Sequence, residues 1–404
     1  MSAGIEIPRD DVNRLQRTAL VVALAAGAAT AFGAFQDHHQ FWHSYLLAFM
    51  LTLGFPLGAF AVVQIFHLTH GSWGFGARRF LEASMRTLPV MALAFAPIAF
   101  LGLHSIYEWS HEDVVRGDAL LTHKEPWLNP TAFQMRAVGY FAVWILLMLV
   151  QSSLSKKLDQ TGDARYLKRM GQVAGPALLV YVLTMTFAAF DWTMSLDPHW
   201  YSTIYGAIFV VGQGLTTWAF SIVFSNWLRN RSQFEYVMQP THFHDLGKLM
   251  FAFVLLHAYT NFSQFLIIWS GNIAEEQPFF LVRKQGPWLA IGLFLVVFHF
   301  ALPFLVLLSR NLKKNPGRLV IVACWLLLLR WVDLCWYIVP SIDHEGGALG
   351  HIHWMDVAAP IALVSLWFTL FLQNVKGRAV VDPRDQAIEA ALEGMPAGST
   401  ASHH

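Results

Sequence analysis

Long apolar runs separated by short polar connections dominate the chain, and ten of them have the length of a membrane crossing. They run Thr18 to Phe35, Tyr45 to Leu68, Leu88 to Trp109, Ala132 to Ser153 and Val173 to Phe190, then Ser202 to Leu228, Leu246 to Ser270, Trp288 to Leu308, Leu319 to Ile338 and Trp354 to Leu372. A helix needs roughly 20 mostly apolar residues to cross a bilayer, so the pattern predicts an all-α polytopic membrane protein. Spans two to five and six to nine are expected to form two four-helix bundles, with spans one and ten outside them. Residues 1–17 precede the membrane domain, residues 18–372 form it, and residues 373–404 read as a polar, solvated tail rich in Ala, Gly and Ser. The first run is read as a retained span: Glu6, Asp10 and Asp11 dilute its basic start, and further spans follow.

Composition agrees with this pattern. Of 404 residues, 55% are hydrophobic and 13% charged, about half the charged share of an ordinary globular domain. A soluble enzyme and a disordered chain are excluded. A net charge of +1 gives no basic face for nucleic acid. Lys and Arg orient the spans: 20 lie in the connections and tails on the N-terminal side and 4 in those opposite, with Arg136, Lys248 and Arg330 in spans or at their edges. Positive connections stay cytoplasmic, so both termini are expected there. Cys324 and Cys335, the only cysteines, lie about 16 Å apart along one helix. They cannot bridge, no CxxCH haem motif exists, and two thiols cannot hold an ordinary iron–sulfur cluster. No cofactor is expected to be covalently bound.

Polar side chains inside spans carry the candidate chemistry, because each is costly in lipid and normally faces the bundle interior with a partner. In the seventh span His257, Asn261 and Gln264 fall within about 60° of one another at 100° per residue, with Thr260 and Ser263 nearby. Such a stripe can order water and carry protons, or simply hold helices together. In the ninth span Asp333 follows Arg330 by three residues, within ion-pair reach. The pair is either a structural lock or a titratable carboxyl held beside a fixed cation. Gln64 and His67 close the second span; His242, His244, Asp245 and Lys248 open the seventh. At the opposite face His104 and Glu108 end the third span, and Asp191, Asp197 and His199 surround the turn between the fifth and sixth. Together they suggest two hydrophilic half-paths meeting near His257 and Arg330. His104 with Glu108, or Asp191 with His199, are also candidate bases for a quinol site. His257 and His299 lie at similar depth, so axial ligation of a haem b is a further reading. The aromatic residues at span edges are those of an interfacial belt in contact with lipid.

Two stretches go beyond composition: DWTMSLDPHWYSTIYG over Asp191 to Gly206 and FSQFLIIWSGNIAEEQPFF over Phe262 to Phe280. With the ten spans, they make the chain resemble the ActF subunits of bacterial alternative complex III, quinol:electron-acceptor oxidoreductases of the NrfD-like integral membrane family. The resemblance extends from about Asn13 to Gln373. It implies two four-helix bundles flanked by two helices, in the bacterial inner membrane. It also implies a partner set of a multihaem cytochrome c, a periplasmic iron–sulfur protein, a monohaem cytochrome c and a sister NrfD-like subunit. In that family the sister subunit is the favoured site of quinol oxidation, and the ActF-type subunit is assigned proton conduction or structural support, although it too is described as quinone-binding. The expected role is therefore a subunit without its own haem or iron–sulfur centre, not an enzyme alone. Three alternatives stand beside it: a subunit that itself binds and oxidises quinol, a secondary transporter with spans interrupted by Pro56, Pro97 and Pro303, and an assembly scaffold whose polar stripes only join helices.

Overall fold

A computed structural model describes residues 5–69, 71–74, 76–231, 238–341, 352–377 and 379–381. Ten helices among them are long and apolar enough to cross a membrane: α1 (Arg9–Gln36), α2 (His38–Thr69), α3 (Arg78–Phe100), α4 (Pro130–Thr161), α5 (Ala164–Leu196), α6 (Tyr205–Arg229), α7 (Pro240–Gly271), α8 (Gly286–Leu308), α9 (Pro316–Ser341) and α10 (Met355–Val375). The chain is an all-α polytopic membrane protein. Most of the tail, residues 382–404, lies outside the described residues.

Local chemistry sets the helix ends. Asn129 and Asn315 cap α4 and α9 by accepting from Ala132 N at 2.8 Å and Arg318 N at 3.2 Å, each followed by a proline at the first helical position. Gly162 closes α4 in the left-handed region at φ 66°, and Asp163 caps α5 through Arg165 N. The third helix departs from its expected run. It starts at Arg78, breaks at Arg86 and Thr87, and ends at Phe100. Pro89 has no N–H for the Met85 carbonyl, which accounts for the break. Residues expected at the end of that span fold instead as a short helix, Leu103–Ile106, and the turn Glu108–Ser110.

Packing follows the expected grouping. Helices α2 to α5 pack together, as do α6 to α9, while α1 lies along α10 and α10 along α2. Helices α2 and α6 join the groups and are the most enclosed, with 94% and 83% of their apolar windows buried against 22% for α1 and α8. They approach closely at Gly58, where an added Cβ would meet Gln213 O at 2.4 Å and Thr217 Oγ1 at 2.3 Å. Without a hydrophobic drive between helices in lipid, such close contact is what holds them together. An aromatic knot fills the first group around Trp192, with Phe95 at 4.3 Å and Phe141 stacked at 5.8 Å. Phe55 stacks on Trp367 at 4.4 Å and fixes α10 to α2. Strand β1 (Ile5–Glu6) pairs antiparallel with β2 (Ala379–Val381), so the two ends of the membrane domain share one face, as an even number of crossings requires. We call this the termini face and the opposite one the far face.

Candidate functional site

Three helices of the second group bring a buried polar cluster together. On α7 the stripe turns inward: His257, Thr260 and Gln264 are buried and Asn261 half-buried. On α8 the regular helix gives way to a π-helical segment, Val296–Ala301, which carries His299. Pro303, four residues on, cannot donate to the His299 carbonyl, and π segments recur at functional positions. On α9, Arg330 and Asp333 face the same way. Asp333 Oδ2 accepts from Arg330 Nη1 and lies 3.2 Å from His257 Nε2. The His257 and His299 rings are in contact, 5.1 Å between centroids. All four residues are at most 5% exposed. The guanidinium lies against Gly212 of α6, where an added Cβ would come within 2.4 Å of Arg330 Cζ.

Hydrogen bonds continue from this cluster toward the far face. Tyr337, one turn beyond Asp333, donates its hydroxyl to Asn261 Oδ1 and lies 3.5 Å from Gln264 Oε1, while Asn261 Nδ2 donates to His257 O at 2.7 Å. The carbonyls of Trp336 and Tyr337 accept from Arg283 at 3.0 and 2.7 Å. Arg283, on the short helix Pro278–Arg283 between α7 and α8, also donates to Ser341 Oγ at 2.8 Å. Burial pushes the Arg283 guanidinium down to about 10. His257 Nδ1, His299 Nε2 and Gln264 Nε2 are buried without a hydrogen-bond partner among the described residues. Buried polar atoms of this kind are ordinarily satisfied by internal water. The result is a line of polar groups, joined in part through backbone carbonyls, from mid-helix toward the far face. Toward the termini face, Gln64 donates, among the described residues, only within its own helix, to Phe60 O at 3.2 Å, and the buried His67 ring packs on Phe66. Near that face, the start of α7 carries the pair Asp245–Lys248 at 2.7 Å.

Cofactor readings of the cluster meet specific obstacles. His257, His299 and Asp333 each offer a ligand atom, all within 4.8 Å of one another. The carboxylate is already bonded to Arg330, whose permanent charge opposes a second cation at that distance. Axial haem ligation does not fit either, because a porphyrin plane would have to pass between two imidazoles that touch.

Asp191 belongs to a separate site between α4 and α5. It is fully buried and accepts from Arg136 Nε at 2.8 Å and Nη2 at 2.9 Å, from Tyr140 OH at 2.8 Å and from Trp127 Nε1 at 2.9 Å. Arg136 stacks 4.1 Å over the Trp127 ring. Both carboxylate oxygens are saturated, the arrangement of an interhelical lock. Of the other far-face candidates, His199 bonds Asp118 at 2.6 Å, His104 faces Ser110 at 3.1 Å and the His111 ring, and Glu108 is exposed. The His199 bond holds the Asp118 carboxyl below the usual carboxylate range. Asp197 is half-buried in the turn, near Lys124, whose Nζ donates to Pro198 O at 2.6 Å and whose pKa burial lowers.

Tyr337 and His299 are the members of the cluster that the polar-stripe reading passes over. Tyr337 follows Asp333 by four residues and Arg330 by seven, the spacing of one helix face, and that signal would have found it. No family model matches the chain, and no curated protein matches it.

Proposed function

We propose that this chain is a non-haem membrane subunit of a quinol-oxidising complex of the alternative complex III type, and that it conducts protons through the cluster on α7, α8 and α9. The observation that carries proton conduction is the gathering of His257, Asp333 and Arg330 beside Asn261, Tyr337 and Gln264, the two sets meeting at the His257 carbonyl. A scaffold needs only saturated pairs such as Arg136–Asp191; here several imidazole and amide nitrogens are left for exchangeable partners. Proton transfer proceeds between groups within hydrogen-bond reach, directly or through one water. Asp333, bonded to Arg330 and 3.2 Å from His257 Nε2, is the negative charge beside which a passing proton is stabilised. The path runs toward the far face. The ActF-like stretches Asp191 to Gly206 and Phe262 to Phe280 support the assignment to such a complex. On that reading the chain lies in a bacterial inner membrane with both termini cytoplasmic. Its partners are the multihaem and monohaem cytochromes c, the iron–sulfur protein and the sister NrfD-like subunit, with quinol oxidised at the sister.

Purification of the tagged full chain from its native membrane tests the assignment. Co-elution with haem-bearing partners and quinol:acceptor activity is expected. A lone, stable, colourless oligomer would overturn it in favour of a transporter.

A further inference from the structure

We propose that Lys313, at the termini face between α7, α8 and α9, binds the phosphodiester of an anionic phospholipid whose acyl chain lies along the seam between α7 and α8. The short helix Arg310–Lys314 joins α8 to α9 and packs on α7. It lays the Lys313 stem between its neighbours, where an added Cβ at Gly247 would meet Lys313 Cγ at 3.0 Å and Leu319 Cδ2 at 3.3 Å. The lysine is only 8% exposed.

An ammonium carries three N–H donors, and among the described residues those of Lys313 have no acceptor: it makes neither an ion pair nor a side-chain hydrogen bond. Its Nζ lies 5.3 Å over the Phe251 ring, a contact that attracts the charge but offers no oxygen. Asp245 on α7 pairs with Lys248 at 2.7 Å. Burial lowers the Lys313 pKa, and the like charge of Lys248 lowers it further. A buried charge without a partner is costly, and a phosphate oxygen supplies a short, charge-assisted acceptor. The surroundings select a lipid over a free ion. Phe251 stacks on Phe304 at 5.6 Å, and Phe304 meets Phe300 at 5.7 Å. These half-buried rings, with the exposed Leu305 and Leu308 of α8, make an apolar seam that leads from Lys313 into the membrane. A phosphate with acyl chains attached uses both the ammonium and the seam; inorganic phosphate uses only the first. Basic pockets between helices at this level bind anionic headgroups. Choline would bring a third positive charge beside Lys313 and Lys248, so a phosphatidylglycerol-type headgroup is favoured over a zwitterionic one. This site does not depend on the proton path.

Native mass spectrometry of the purified full chain, equilibrated with phosphatidylglycerol or phosphatidylcholine, tests the proposal. One phosphatidylglycerol should be retained in preference to phosphatidylcholine, and millimolar inorganic phosphate should not displace it. Lys313→Met keeps the stem and removes the ammonium, and it should weaken retention about ten-fold. Lys157→Gln, which removes an exposed lysine near the end of α4 at the same face, should leave retention unchanged. In lipid-free detergent Lys313→Met should melt no lower than the parent, because the charge it removes has no partner within the protein. Equal retention of both lipids would assign the acceptor to water, and displacement by phosphate would assign it to a free anion. Either result would overturn the proposal, as would unchanged retention in Lys313→Met, an equal loss in Lys157→Gln, or a Lys313→Met variant that melts lower without lipid.

Discussion

Removing one member of the Arg330–Asp333 pair should cost more than removing both. The two side chains are 3% and 4% exposed, in surroundings where an uncompensated charge finds no solvent. Asp333→Asn leaves the guanidinium, which does not deprotonate, pinned against Gly212 and 6.0 Å over the Phe209 ring with only a neutral amide before it. Breaking a buried pair from one side costs about 3–5 kcal/mol. Arg330→Met should fall toward the lower end, because Asp333 keeps His257 at 3.2 Å. In the double variant both charges are gone and methionine fills the guanidinium's place, so only about 1–2 kcal/mol should be lost. The cycle then gives a coupling of at least about 3 kcal/mol. Equilibrium unfolding of the full chain in mixed micelles, titrated with SDS and followed by tryptophan fluorescence, reads all four corners. Additive losses, or an Asp333→Asn variant within about 1 kcal/mol of the parent, would refute the view that these charges are desolvated and mutually dependent.

Other perturbations follow the same physics. Gly212→Ala would place a methyl 2.4 Å from Arg330 Cζ; the displaced guanidinium should cost about 1–3 kcal/mol in the same unfolding assay. Tyr140→Phe removes one of four bonds to Asp191 and should cost about 1–1.5 kcal/mol, whereas Asp191→Asn should approach about 3–5 kcal/mol because Arg136 loses its counter-charge. The far-face contact between Asp118 and His199 should be acid-sensitive. Asp118 is held below its ordinary value of 3.8, so its stabilising bond is fully present above that pH and is lost as pH falls through the lower folded value. Hydrogen exchange over residues 112–124 should show that protection fading in acid, and His199→Ala should weaken the dependence without abolishing it, because Asp118 still accepts from Leu120 N and Leu121 N.

Much of the fold was legible because span length and apolarity are imposed by the bilayer, which is why ten runs correspond to ten helices. The exception is the third, where Pro89 breaks the helix and a buried polar start at Arg78 and Glu82 masks the span from an apolar count. The His257 stripe and the Arg330–Asp333 spacing were legible from helical geometry alone. Cross-helix partners were not. Nothing in the sequence says that Arg136 reaches Asp191, that His199 meets Asp118, or that a π segment turns His299 toward His257, because those contacts depend on helix rotation and on connections of irregular length. Tyr337 was hidden for another reason: tyrosine near a span end reads as part of an interfacial belt, while its hydroxyl here is turned inward.

The central claim is that protons pass along the groups joining His257 to the far face. Tyr337→Phe tests it most directly, since it removes only the hydroxyl that bridges Asn261 and Gln264 and keeps the ring against Tyr205 and Phe279. The measurement is proton movement across sealed vesicles carrying the whole complex during quinol oxidation, read by an entrapped pH dye. The account predicts at least about a tenfold fall in proton translocation with haem content and assembly unchanged. Translocation equal to that of the parent complex would contradict it.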